Sequence, residues 1–134
     1  MMKTFIKIIY GFFGSFFLLL GTTIVLFKTH FLPDYLQDEV FLAAQKNASS
    51  LHLLQEFGCL MIFAGILFFW NIRRFEASKG FHWAMTVFWA LMSIIHWADV
   101  RNSPGSMTGP IVNTIPFILF FATGLLRKEN SLHY

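Results

Sequence analysis

The sequence predicts an all-α protein, a four-helix transmembrane bundle running up-down-up-down with N and C termini cytoplasmic. Three observations carry that expectation. Four apolar stretches, at about 5–27, 51–71, 81–98 and 110–126, take up most of the 134 residues. The composition is 56% hydrophobic and only 13% charged, where a soluble domain carries about a quarter charged residues. The charges that occur gather at the ends of the stretches. A hydrocarbon core about 30 Å thick needs roughly 20 apolar residues at about 1.5 Å each. The first two stretches reach that length outright, and the last two reach it with their Trp, Pro and polar ends included. The expectation is one integral membrane domain over 1–134 with no soluble module. The net charge of +3 is spread over segment ends, so membrane lipid and not nucleic acid is the expected partner. The single cysteine, Cys59, cannot form an internal disulfide.

The first stretch imitates a signal peptide, with Lys3 and Lys7 ahead of an apolar run. The run is longer than a signal peptide's apolar region and no small-x-small cleavage site follows, so it is expected to stay as a first helix. Gly11 and Ser15 form a small-xxx-small pair, and Gly14 and Gly21 stand a heptad apart. Both patterns let another helix approach closely. In the link 28–50, Pro33-Asp34 opens a segment that puts Leu36, Val40, Phe41 and Ala44 on one face. That pattern predicts a short amphipathic helix on the outer surface. Asn47-Ala48-Ser49 is a glycosylation sequon, with meaning only in a eukaryotic secretory membrane.

Ser49 or Ser50 can cap the second helix, where Gly58 and Gly65 offer a small-residue face away from Glu56. The links 72–80 and 98–109 are short and imply antiparallel neighbours. In the third helix His82, Thr86, Trp89, Ser93 and His96 fall at spacings of four, three, four and three. They lie within about 80° of one another on a helical wheel. Such a stripe points away from lipid, as a hydrogen-bonded seam or as the wall of a cavity. In the fourth helix Pro110 suits the first turn. Pro116 should kink it and free a carbonyl near residue 112 that Asn113 can satisfy.

Orientation follows from basic residues in short links. Lys3, Lys7, Arg73, Arg74, Lys79, Arg127 and Lys128 put seven on one side, against Lys28, Lys46 and Arg101 on the other. The three are set among Asp34, Asp38, Glu39 and Asp99. The expected location is the bacterial inner (cytoplasmic) membrane. Tyr10, Trp70 and Trp83 would mark the inner boundary and Trp97 the outer one.

Counting from the inner basic residues sets the depth of the polar groups. Glu56 lies 17 positions before Arg73 and His96 lies 17 after Lys79, roughly 25 Å in each case. Asn113 lies 14 positions before Arg127, roughly 21 Å. His52 stands one turn above Glu56, and Asp99 about one turn above His96. The candidate ligand-binding residues are therefore His52, Glu56, Ser93, His96, Asp99 and Asn113, in a layer near the outer leaflet. A charge inside a span is expensive and is paired or functional. One function is binding of a small apolar or lipid-like ligand such as a quinone or isoprenoid, with Phe and Trp lining the rest of the pocket. A second is an enzyme acting on such a ligand, with Glu56 and His52 as acid and base. A third is a structural or assembly subunit whose polar layer fixes helix register.

No metal or cofactor is expected. His52-x-x-x-Glu56 puts two donor groups on one face, with His96 or Asp99 as a third, but the spacing is common by chance. His82 and His96, 14 apart, suit two stacked haems, yet nothing at the inner level stands opposite His82 as a second axial ligand. Four short helices would need a homo-oligomer to form a transport pathway.

Two resemblances complete the reading. Gln55-Glu56-Phe57-Gly58, an apolar helix ending in Arg73-Arg74, then Asp99-Val-Arg-Asn-Ser-Pro-Gly-Ser106 and a last helix ending in Arg127 resemble small bacterial four-helix proteins related to the DoxX-like group. The resemblance covers roughly residues 50–128. It implies a four-helix inner-membrane bundle and no particular activity. The family often places Arg and Ser near the outer end of its third helix, where this chain has His96 and Trp97. His52, Glu56 and Asn113 are also similar in type to the residues of emopamil-binding-type sterol isomerases. That likeness is one of chemistry, since those proteins are longer and carry a further glutamate on an intervening helix.

Overall fold

The computed structural model describes residues 2–27, 48–102 and 107–127, and every regular element among them is helical. Helix α1 is Met2–Phe27, α2 is Ala48–Arg73, α3 is Lys79–Asn102 and α4 is Thr108–Leu126. A short 3-10 turn, Phe75–Ala77, leads into α3. The amphipathic segment expected around Leu36 to Ala44, the residues Lys28, Lys46 and Lys128, and the start of the sequon at Asn47 lie outside the described residues.

Three helices are long and apolar enough to cross a membrane: Met2–Leu26, Ser49–Arg73 and Thr108–Leu126. Helix α3 has the length, at 24 residues, but not the same apolar content, because His82, Thr86, Ser93, His96 and Asp99 interrupt it. The expected third span, 81–98, therefore differs in kind from the other three.

The chain divides into two compact units, one of residues 7–73 and one of residues 1–6 with 74–134. In the first, α1 and α2 form an antiparallel hairpin held by glycines. A Cβ on Gly21 would fall 2.6 Å from the Gly58 carbonyl oxygen, and one on Gly65 would fall 2.9 Å from the Gly14 oxygen. The two contacts are seven residues apart on both helices, so the expected heptad pair Gly14/Gly21 and the pair Gly58/Gly65 form one seam. Ser15 is exposed, so Gly11/Ser15 is not the pair that makes it. Beyond Gly14 the seam becomes aromatic. The Phe68 ring is fully buried, edge-on to Tyr10 at 5.6 Å and stacked with Phe13 at 6.1 Å and Phe17 at 5.8 Å. Such ring pairs add about 0.5–1.5 kcal/mol beyond their buried area.

In the second unit α3 and α4 form another antiparallel hairpin, sealed by hydrogen bonds. The stripe His82, Thr86, Trp89 and Ser93 is buried, and His96 at its end is half-buried. Gly124 has no Cβ where the edges of His82 and Trp83 pass, each 3.2 Å from where that atom would sit. Helix α4 continues through Pro116 without interruption. Asn113 Nδ2 donates to the Gly109 oxygen at 2.8 Å, one turn back, and Thr114 Oγ1 donates to the Pro110 oxygen at 2.8 Å. Asn113 thus bonds Gly109, not the carbonyl near residue 112 expected from the proline.

Candidate functional site

His52 and Glu56 belong to the α1–α2 unit, and Ser93, His96, Asp99 and Asn113 to the α3–α4 unit. On α2, His52 and Glu56 are four residues apart, the spacing at which helical side chains meet. Their side chains join Nε2 to Oε1 at 3.1 Å while remaining 75% and 60% exposed. The surroundings of the pair are apolar. Leu53, Phe57 and Leu60, exposed on the same stretch of α2, flank Glu56 at the i−3, i+1 and i+4 positions. The result is an acid–imidazole pair whose exposed neighbours on α2 are Leu53, Phe57 and Leu60 together with Ser49 and Cys59.

On α3 and α4 the polar groups are turned toward each other. Ser93 Oγ lies 2.7 Å from Thr114 Oγ1, and Trp97 Nε1 donates to the same oxygen at 3.0 Å. A hydroxyl has one proton and two lone pairs. With its proton on the Pro110 oxygen, Thr114 accepts from both Trp97 and Ser93, and all its hydrogen-bonding capacity is used. Ser93 is then the donor in that contact and has no proton left for a ligand. His96 packs on Gly109, its Nδ1 2.9 Å from where a glycine Cβ would sit, and Asn113 bonds the carbonyl of that same glycine. Gly109 is therefore the point where two of the expected site residues converge. Asp99 is part of α3, but its side chain lies outside what is described.

Deeper in the hairpin, His82 Nε2 donates to the Phe120 oxygen at 2.8 Å, with Thr123 Oγ1 3.3 Å away. That bond places the proton on Nε2, since a carbonyl oxygen only accepts. At the end of the unit Arg127 closes the hairpin. Its Nη2 donates to the Phe75 oxygen and, at 3.2 Å, to Ser78 Oγ, and its Cζ sits 4.3 Å above the centre of the Phe75 ring. Lys3 pairs with Glu76 and lies 5.7 Å from the same ring.

Sequence reasoning singles out Ser93 and Asn113 and misses Thr114, the hub between α3 and α4. The available signal is that Thr114 has an i−4 carbonyl to bond and so can turn its lone pairs to a neighbouring helix. Among the described residues no three His, Cys, Asp or Glu side chains gather as metal ligands would. No protein-family model, curated protein or solved structure matches the chain.

Proposed function

We propose that this chain is a four-span bacterial inner-membrane protein, both termini cytoplasmic, that binds a small apolar or lipid-like ligand of the quinone or isoprenoid kind through His52 and Glu56. The observation that carries this reading is the His52–Glu56 pair itself, polar and largely uncovered by its own chain on an apolar, span-length helix. An ionisable pair at that depth calls for a partner from outside the chain. An amphiphile supplies one, with a carbonyl or hydroxyl on the pair and a hydrocarbon tail along Leu53, Phe57 and Leu60. Ser93, whose proton is spent on Thr114 across the α3–α4 hairpin, is assigned to helix pairing, and Asn113, which gives one amide proton to Gly109 in its own helix, to the first turns of α4. Kinship with the DoxX-like group is part of the proposal and rests on the motifs quoted from the sequence.

The fourth span is α3. Its polar stripe is buried, and Val87, Phe88, Leu91, Ile94 and Ile95 are exposed. These five recur at the spacing of one helical face. A helix with a bonded polar seam and an apolar outer face suits a membrane even when its average apolarity is modest. The basic residues in the links supply the orientation.

A second reading has its own observation: an imidazole and a carboxylate at 3.1 Å form an acid–base pair within reach of a substrate's proton. One experiment addresses binding and catalysis together. The protein is drawn from its native membrane into lipid nanodiscs, and the organic-soluble molecules retained are quantified by mass spectrometry. The wild type should retain a discrete amphiphile that falls at least tenfold in Glu56→Gln and His52→Ala, with Ser93→Ala retaining it. Turnover of that amphiphile by the wild type alone would select the enzyme. Equal retention by all variants would sink both readings and leave an assembly subunit.

A further inference from the structure

We infer that the face of α2 bearing His52 and Glu56 packs against the same face of a second copy of this chain, which gives the ligand site its second wall. The two-walled ligand site rests on the reading of His52 and Glu56 given above; the pairing of the copies does not. His52, Glu56, Cys59, Phe63, Ile66 and Trp70 recur at spacings of four, three, four, three and four, and all six are exposed. They form one stripe about 80° wide and roughly 27 Å long. Alternating threes and fours is the pattern of a left-handed helix pair, in which a repeat of about 3.5 residues keeps one seam facing the partner. The Gly58/Gly65 seam that meets α1 lies about 130° around the helix, so α2 can hold α1 and a second copy at once.

The polar groups choose the occupant. A single helix face covers too little of an amphiphile, because a ligand pocket encloses most of its ligand's surface, and a carboxylate and an imidazole within a span call for polar partners. Val87, Leu91 and Ile94 are exposed on α3, and Ile111, Ile115 and Ile118 on α4; hydrocarbon of this kind answers neither group. The same pair on a second copy answers both. Copies inserted in one orientation are related by a two-fold axis along the membrane normal, which sets α2 parallel to α2 and each seam residue beside its own counterpart. The bond within one chain joins His52 Nε2 to Glu56 Oε1 and leaves Nδ1 and Oε2 over. A protonated imidazole has two N–H donors and a carboxylate accepts at both oxygens. Each His52 then donates through Nε2 to its own Glu56 and through Nδ1 to the Glu56 of the second copy. The charge-assisted bonds close into a ring across the axis, acid facing base. The amphiphile's tail lies beside this ring, along Leu53, Phe57 and Leu60 of either copy.

Cys59 is the chain's single cysteine and sits on the seam one turn from Glu56, so it reports the pairing directly. The full-length protein in native membranes is oxidised with copper phenanthroline and run on a denaturing gel without reductant. The wild type should give a disulfide-linked dimer that Cys59→Ser removes. In the Cys59→Ser background, Phe63→Cys and Ile66→Cys, on the seam, should link at least fivefold more than Leu53→Cys and Leu60→Cys, beside it. With Cys59 kept, Glu56→Ala and His52→Ala should each lower the linked fraction at least threefold. Linking that is absent, equal at all four introduced positions, or unchanged in both alanine variants overturns the proposal. A seam that links in protein retaining no amphiphile sinks the ligand reading alone. An amphiphile retained by protein that does not link is held by a single copy, and sinks the pairing alone.

Discussion

Gly21 shows how one missing methyl group decides a helix pair. A Cβ there would meet the Gly58 oxygen at 2.6 Å and the Ile62 nitrogen at 2.9 Å. Both are backbone atoms, so the helices must separate to admit it. Gly21→Ala should destabilise the α1–α2 hairpin by about 1–3 kcal/mol. Gly80, near the start of α3, has nothing within 4 Å of its would-be Cβ. Gly80→Ala should be neutral or stabilising, by up to about 1 kcal/mol, since it reduces only the freedom of the unfolded chain. Reversible unfolding of the two variants in bicelles measures both. The heptad spacing of glycines is legible in the sequence because it is a periodic property of one helix. Which partner each glycine meets, and that Ser15 faces away, depends on the rotation of a second helix and is not.

At the scale of helices the two hairpins are held by different physics. The α1–α2 pair relies on close backbone approach and stacked rings, the α3–α4 pair on hydrogen bonds whose alternatives in hydrocarbon are poor. The Ser93–Thr114 contact should therefore show a measurable coupling. A double-mutant cycle of Ser93→Ala and Thr114→Val should give about 0.6 kcal/mol and at most about 1.7. A coupling of zero would mean that the hydroxyls find equal partners elsewhere. The inward stripe of α3 could be read from periodicity, since His82, Thr86, Trp89 and Ser93 are indeed its buried side. Thr114 was legible only as a hydroxyl with an i−4 carbonyl to bond; that its lone pairs take two bonds from α3 depends on how the two helices are rotated and not on spacing along one of them. The role of Asn113 was legible only in kind. It does bond a backbone carbonyl, but at Gly109, and the choice of carbonyl is a matter of side-chain reach.

For the molecule as a whole, composition announces the solvent and the helices follow from it. Three helices qualify as spans by length and apolarity, and α3 falls short because averaging over a helix hides a polar seam facing an apolar outer side. If all four cross, a fluorescent protein fused after Tyr134 folds in the cytoplasm and glows, and alkaline phosphatase fused there is inactive. The opposite pattern would mean that an odd number of helices cross, or that the orientation is reversed. The acid–imidazole pair was legible as a helical i, i+4 spacing and the glycine face as lying away from it, but the 75% and 60% exposure of the two side chains was not, since exposure is set by tertiary packing and not by spacing along one helix.

The central claim is that Glu56 is reached from the bilayer and not from water. Carbodiimide labelling followed by peptide mass spectrometry tests it most directly. In native membranes a lipid-soluble carbodiimide should modify Glu56, and a water-soluble one should leave it untouched while modifying Glu76. Efficient labelling of Glu56 by the water-soluble reagent would place it in aqueous solvent and contradict the account.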